Sequence, residues 1–133
     1  MKRMKMLVSV LLCAVLLSAC GGGDISSVER SFGTCERYRK AQIEAAMDEV
    51  ERFFRAEFEG SKLLTIRYDE EDTAKEADDW TERYGAQAIV LKSDFHVFED
   101  DQGVLMPDYT YKDYGWVLVK TIFGWKLMDC GYA

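Results

Sequence analysis

Residues 87–98, QAIVLKSDFHVF, decide the fold, because apolar and polar side chains alternate along them. Alternation with a period of two predicts a β-strand that buries one face. The face expected in the core is apolar and comprises Ile89, Leu91, Phe95 and Val97. The other face carries Lys92, Asp94 and His96, polar groups that are costly to bury without partners. We therefore expect His96 to face solvent.

The residues that follow predict two more strands in a meander. After a polar turn at 99–103, residues 104–112 hold the single proline and indicate a loop or an irregular edge. Strands are expected at 114–122 and 125–131, and Phe123 and Gly124 form the tight turn between them.

Upstream, apolar residues recur at spacings of three and four and predict a helix from about Cys35 or Tyr38 to Phe58. Its buried stripe is expected to be Ile43, Met47, Val50, Phe54 and Phe58, and Gly60 is expected to end it. A strand over 63–68 should bury Leu64, Ile66 and Tyr68. A second helix over 73–84 is indicated by a capping box of Thr73 with Glu76 and by Gly85 at its end.

These elements predict the α+β class, with a long N-terminal helix packed on a curved antiparallel sheet and the order α-β-α-β-β-β. Strand and helix do not alternate often enough for a parallel sheet.

The first 19 residues predict an export signal. They contain Lys2, Arg3 and Lys5, no acidic residue, and an apolar run that is too short to cross a bilayer. The run ends in Leu17-Ser18-Ala19-Cys20, which resembles the lipobox of bacterial lipoproteins. That resemblance implies cleavage before Cys20 and attachment of a diacylglycerol to its thiol. The expected location is the extracytoplasmic face of a cell membrane, held by the lipid.

The expected division is a signal peptide over 1–19, a lipidated cysteine and flexible tether over 20–34, and one domain over 35–133. Removing the signal leaves 14 basic and 24 acidic residues, a formal charge of −10. An acidic protein repels phosphate backbones, so nucleic acid is not an expected partner. The charge permits a cationic ligand without implying one.

Two cysteines remain besides Cys20 in the mature chain, Cys35 and Cys130. An extracytoplasmic compartment allows a disulfide between them, and two buried free thiols are the alternative. Neither cysteine has a metal-ligand spacing, so no metal and no cofactor are expected.

Short motifs spread over Arg37–Tyr132 resemble a family of bacterial lipoproteins known only as a domain of unknown function. They are Glu44-Ala45-Ala46, Phe53-Phe54, Leu64, Tyr68-Asp69-Glu70, Ser93-Asp94-Phe95, Tyr109-Thr110-Tyr111, Gly124-Trp125-Lys126 and Gly131-Tyr132. That family belongs to the nuclear transport factor 2-like superfamily, with cystatin-like α+β topology. The resemblance implies a cone of curved sheet wrapped on the long helix, and it implies no established activity.

Three functions remain open from the sequence. The first is a non-catalytic binding or scaffolding module for an unknown protein or small molecule, with Tyr109, Tyr111, Tyr114 and Trp116 as a possible binding surface or as core. The second is a small enzyme, because superfamily relatives use Asp or His in the cone as a general base and Asp94 and His96 are two residues apart. The third is an envelope structural protein that acts by self-association. No catalytic motif is present.

Overall fold

The computed structural model describes residues 22–132, which form five strands and two helices. In chain order these are β1 (Glu29–Phe32), α1 (Lys40–Glu57), β2 (Ser61–Tyr68), α2 (Glu70–Tyr84), β3 (Ala88–Val97), β4 (Tyr109–Thr121) and β5 (Gly124–Gly131). One sheet has the order β1-β2-β3-β4-β5; β1 is parallel to β2 and the other neighbours are antiparallel. The α+β class is confirmed. The predicted signal peptide and Cys20 lie outside the described residues.

The core lies between α1 and one face of the sheet. The helix buries Ile43, Met47, Val50 and Phe54, as its apolar stripe predicts, and also Ala46, whereas Phe58 of the predicted stripe is only half-buried. The sheet contributes the predicted β3 face together with Leu63, Ile66, Trp116 and Leu118. Each such side chain gains about 1.5–3 kcal/mol on burial, so this interface is the main source of stability.

The second helix covers part of the opposite face. Ala77 of α2 packs on Val90 and Val117, with Trp80 and Tyr84 half-buried beside them. The rest of this face is polar and carries the predicted row of Lys92, Asp94 and His96. His96 is less exposed than its strand position predicts, since only 22% of its side chain is accessible.

The largest departure from the sequence prediction is at the N-terminus. Residues 22–34 are not a flexible tether, because they contain β1 and the bridge of Asp24 to Lys62. The order of elements is therefore β-α-β-α-β-β-β, and α1 is the second element of the chain. The strand is short and mostly polar, and it is held by its parallel pairing with β2 and by ion pairs of Arg30 with Asp48 and Glu51.

The strand register and the boundaries of some elements also differ from those that the sequence predicts. A bulge between Leu63 and Thr65 turns Leu63 into the core in place of Leu64, which is half-buried. The second helix begins earlier than expected, because the Asp69 side chain accepts a hydrogen bond from the Glu71 amide and caps it. Gly85 closes that helix in the left-handed conformation, as predicted. Strand β4 begins at Tyr109, within the predicted loop.

Candidate binding site

A cavity of about 550 Å³ opens where α1 ends against the β3–β4 connection. Its wall on one side is the end of α1 and the turn after it, and on the other side the residues from Glu99 to Leu105. Gly60 allows the two walls to meet, since its φ is +80° and a Cβ there would lie 2.2 Å from the Glu99 carbonyl oxygen. Ligand pockets commonly have volumes of about 300–1,000 Å³, so a small organic molecule fits.

Of the residues that the structure describes, five acidic ones line this cavity, and no Lys, Arg or His does. They are Glu57, Glu59, Glu99, Asp100 and Asp101. Of these five acids, only Asp100 has a side chain that hydrogen-bonds to another described residue. The cavity also lies at the C-terminus of α1, where the helix dipole adds negative potential. The arrangement attracts cations and repels anions.

Asp100 organises the loop that forms the outer wall. Its carboxylate accepts hydrogen bonds from the backbone amides of Gln102, Val104 and Leu105 at 3.0, 3.0 and 2.6 Å. The bonds from Leu105 and Gln102 hold the pKa of Asp100 below its usual value. The carboxylates of the other four acids make no hydrogen bond or ion pair with any side chain or amide in residues 22–132.

The floor of the cavity is apolar and partly aromatic, with Phe58, Leu105 and Tyr114. Phe58 stands edge-on to Tyr114, with ring centroids 6.2 Å apart. Burial, and then contact with the Cys130 thiol, raises the pKa of Tyr114 well above its usual value, so this hydroxyl stays protonated. A cation with an apolar portion therefore complements both the rim and the floor.

The four aromatic residues predicted as a possible binding surface do not act together. Trp116 is fully buried, and its indole N–H donates to Ser93 Oγ at 2.7 Å, so it belongs to the core. Tyr111 stacks on Phe95 with ring centroids 5.1 Å apart, and Tyr109 is exposed beside it. Of the four, only Tyr114 lines the cavity.

The two residues of the enzyme alternative have separate partners. The Asp94 carboxylate accepts from the Asp113 amide at 3.0 Å and from Arg67 at 3.3 Å. The His96 ring contacts Thr110 Oγ1 through Nδ1 at 2.7 Å and Asp108 Oδ1 through Nε2 at 3.3 Å. The two ring nitrogens thus contact a hydroxyl and a carboxylate, but Asp108 is almost fully exposed, and His96, Thr110 and Asp108 do not line the cavity.

The disulfide that the sequence allows is not formed, because Cys35 and Cys130 are both free within residues 22–132. The Cys35 thiol donates to the Gly33 carbonyl at 3.3 Å, and the Cys130 sulfur lies 3.7 Å from the Tyr114 hydroxyl oxygen. Burial raises the pKa of each thiol, and for Cys35 the negative charge of Glu70 adds to the rise. Each cysteine packs against the core at a different place.

Sequence reasoning missed the cavity because its parts lie far apart in the chain. Glu99 to Asp101 lie in the predicted polar turn, and Glu57 and Glu59 lie near the predicted end of the helix, where no pattern singles them out. A signal was present in the excess of acids, but only the contact of the β3–β4 connection with the end of α1 brings them together.

No helix within residues 22–132 is long and apolar enough to span a membrane. In the same part of the chain, no group of three or more His, Cys, Asp or Glu side chains could hold a metal ion.

Comparison of the chain with protein-family models, with curated proteins and with solved structures finds no match.

Proposed function

We propose that this chain is a lipid-anchored, extracytoplasmic and non-catalytic binding module, and that its ligand is a small organic cation with an apolar portion. The single observation that carries the ligand proposal is the cavity at the end of α1, with five carboxylates on its rim and an apolar floor. The non-catalytic part is supported by the separate partners of Asp94 and His96.

The charge of the cavity determines the sign of the charge that the ligand carries. At about 4 Å, one unit charge attracts another by about 1 kcal/mol in water and by about 4 kcal/mol near a protein surface. The acidic side chains in the lining all carry the same sign of charge, and no basic side chain in the described part of the lining offsets them. The apolar floor then favours a cation with an aromatic or aliphatic group over a compact hydrated ion.

The anchoring part of the proposal is supported by Leu17-Ser18-Ala19-Cys20 and by the basic and apolar residues before it. The matching experiment is intact-mass analysis of the membrane-extracted protein. We expect a mature chain that begins at Cys20 and carries a diacylglycerol, and we expect Cys20→Ala to abolish lipid labelling. An unmodified chain that begins elsewhere would refute the anchor.

We also propose that the fold is a divergent member of the nuclear transport factor 2-like group. Support comes from the packing of a long helix along one sheet face, with a cavity at the helix end. The parallel strand β1 in front of α1 departs from the expected order. An experimental structure tests this proposal through the curvature of the sheet: an open, weakly curved sheet would contradict it.

The ligand proposal is tested by calorimetric titration with benzyltrimethylammonium chloride, with benzyl alcohol as the neutral probe. We expect saturable binding of the cation only, weakened by salt because screening acts on exposed charges. The double substitution Glu59→Gln/Asp101→Asn should lower affinity about tenfold, since each lost charge costs about 0.7 kcal/mol. Binding of benzyl alcohol with equal affinity would contradict the proposal.

The matched control is Asp79→Asn/Glu82→Gln on the exposed side of α2, which removes the same charge away from the cavity. Among the described residues, neither acid forms an ion pair. We expect this variant to keep nearly all of the affinity. An equal loss of affinity in both variants would show that binding depends only on net charge and would contradict a binding site in the cavity.

A further inference from the structure

Gly22 and Gly23 hold the chain against α1. The Gly23 amide donates to the Arg55 carbonyl oxygen at 2.9 Å. A Cβ on Gly22 would lie 2.1 Å from that same oxygen, and a Cβ on Gly23 would lie 2.5 Å from the Phe54 carbonyl oxygen. Only glycine allows this approach, so the segment is attached to the last turn of the helix.

This attachment limits the distance between the domain and the lipid. If the lipid is on Cys20, only Cys20 and Gly21 separate it from Gly22, and two residues span at most about 7 Å. A flexible tether over 20–34 would instead reach about 20 Å on average and would leave the domain free to turn. The end of the domain that carries Gly22 must therefore lie close to the membrane.

At this end of the sheet, Asp24, Lys62, His96 and Thr110 are paired side by side across neighbouring strands. We call this end of the domain the anchor end. The β3–β4 connection lies at the anchor end and exposes three large apolar side chains: Phe98 is 56%, Val104 77% and Met106 59% accessible. Exposed apolar side chains near a bilayer gain free energy by entering the boundary between headgroups and acyl chains.

A second exposed apolar pair lies at the opposite end. Ile122 and Phe123 form the tip of the β4–β5 hairpin and are 93% and 94% accessible. From Thr110 to Ile122 the chain follows β4, and a strand of that length covers about 40 Å. A bilayer touches both ends only if β4 lies along its surface, and the short link from Cys20 to Gly22 favours contact through the end that carries Gly22.

We propose that the anchor end faces the bilayer that holds the Cys20 lipid, with Phe98, Val104 and Met106 in its headgroup region and the hairpin tip pointing away. This inference rests on the proposed lipid anchor. Gly22 and Val104 both line the acidic cavity, so the cavity opens beside the membrane and receives its ligand from there.

The negative charge of the anchor end makes its contact with the membrane depend on the charge of the lipid headgroups. The five rim carboxylates lie there, and they repel anionic headgroups over about one Debye length, roughly 8 Å at physiological salt. Contact should therefore be closest on phosphatidylcholine vesicles. On vesicles that contain phosphatidylglycerol it should weaken at low salt and recover when Mg²⁺ screens the charges.

The test places a fluorophore on the full lipidated protein in phosphatidylcholine vesicles that contain headgroup-quencher lipids. The label is attached at Met106→Cys or at Phe123→Cys, in a Cys35→Ser/Cys130→Ser background. We expect severalfold stronger quenching at position 106 than at position 123. Equal quenching, or stronger quenching at position 123, would overturn the orientation.

A flexible Gly/Ser insertion of about 12 residues between Gly21 and Gly22 is the matched control, because it restores a long tether. The difference between the two labels should then shrink, and an unchanged difference would overturn the argument from tether length. Hydrogen–deuterium exchange of the unsubstituted lipoprotein needs no label. We expect slower exchange over 98–109 in vesicles than in detergent and no change over 119–126; the reverse pattern would overturn the proposal.

The two proposals fail in different ways. Absence of the lipid by intact mass removes both the anchor and the orientation. Failure of benzyltrimethylammonium to bind removes only the ligand, and the quenching pattern then still decides the orientation.

Discussion

The backbone amide of Gly23 lies 2.9 Å from the carbonyl oxygen of Arg55 and donates a hydrogen bond to it, which joins the N-terminal segment to the end of α1. The same helix end forms one wall of the acidic cavity. The N-terminal segment therefore contacts the same helix end that lines the cavity. A substitution in the segment should alter the structure of the cavity as well.

Gly23→Ala should destabilise the protein. The added methyl group would lie 2.5 Å from the Phe54 carbonyl oxygen, and overpacking of this kind costs about 1–3 kcal/mol. The free energy of unfolding from urea titration measures the loss. Ser27→Ala, at an exposed position in the same segment, is the control and should change it little. Equal stability of Gly23→Ala and the unsubstituted protein would mean that the segment is not docked.

Glu70→Gln should destabilise the protein at neutral pH by about 1–2 kcal/mol, because the Gln side-chain oxygen accepts the same hydrogen bonds without the negative charge that strengthens them. The buried carboxylate accepts from the Glu36 amide at 2.9 Å, the Arg37 amide at 2.5 Å and the Tyr68 hydroxyl at 3.1 Å. Burial raises the pKa of Glu70, but the bonds from Arg37 and Glu36 outweigh it, and the net pKa is lowered.

The lowered pKa also gives the sign of the pH dependence. A carboxylate with a depressed folded pKa stabilises the protein above its unfolded pKa of about 4.3, and this stabilisation is lost as the pH falls through the folded value. The difference in unfolding free energy between the unsubstituted protein and Glu70→Gln should shrink in acid. Glu71→Gln, which is exposed, is the control. A difference independent of pH would contradict this account.

Much of the fold could be predicted, because α1 and β3 bury faces that are visible in the local period. Strand β1 could not, since Glu29, Arg30 and Ser31 show no apolar alternation and the strand depends on distant parallel pairing with β2. The bulge after Leu63 changes the buried face within one strand, which alternation alone does not reveal. The cavity was missed for the same reason as β1, because its walls meet only through long-range contacts.

Ser93→Ala and Trp116→Phe should each lower the free energy of unfolding by about 1–3 kcal/mol, because each leaves a buried polar partner without its hydrogen bond. The indole N–H of Trp116 donates to Ser93 Oγ at 2.7 Å, and both side chains are fully buried. The double variant should cost less than the sum of the two single ones. A double-mutant cycle by urea unfolding measures this coupling, and strict additivity would show that the bond contributes nothing.

Thiol labelling of unreduced, denatured protein should detect both Cys35 and Cys130, since neither is bridged in the fold. In the folded protein, labelling should be slow at neutral pH and should accelerate in alkali, because the pKa of each thiol is raised. Mass spectrometry after alkylation counts the modified sites. A mass lower by two hydrogen atoms, with no label attached, would demonstrate the disulfide and contradict the structure.

Binding of an organic cation in the acidic cavity can be located residue by residue with amide chemical-shift mapping. The sample is ¹⁵N-labelled protein without residues 1–19 and with Cys20→Ala, titrated with benzyltrimethylammonium. We predict saturable shifts at Glu59, Gly60, Asp101 and Leu105, which line the cavity, and none at the hairpin tip. Shifts confined to the polar row of Lys92, Asp94 and His96, or no saturable shift, would contradict the claim.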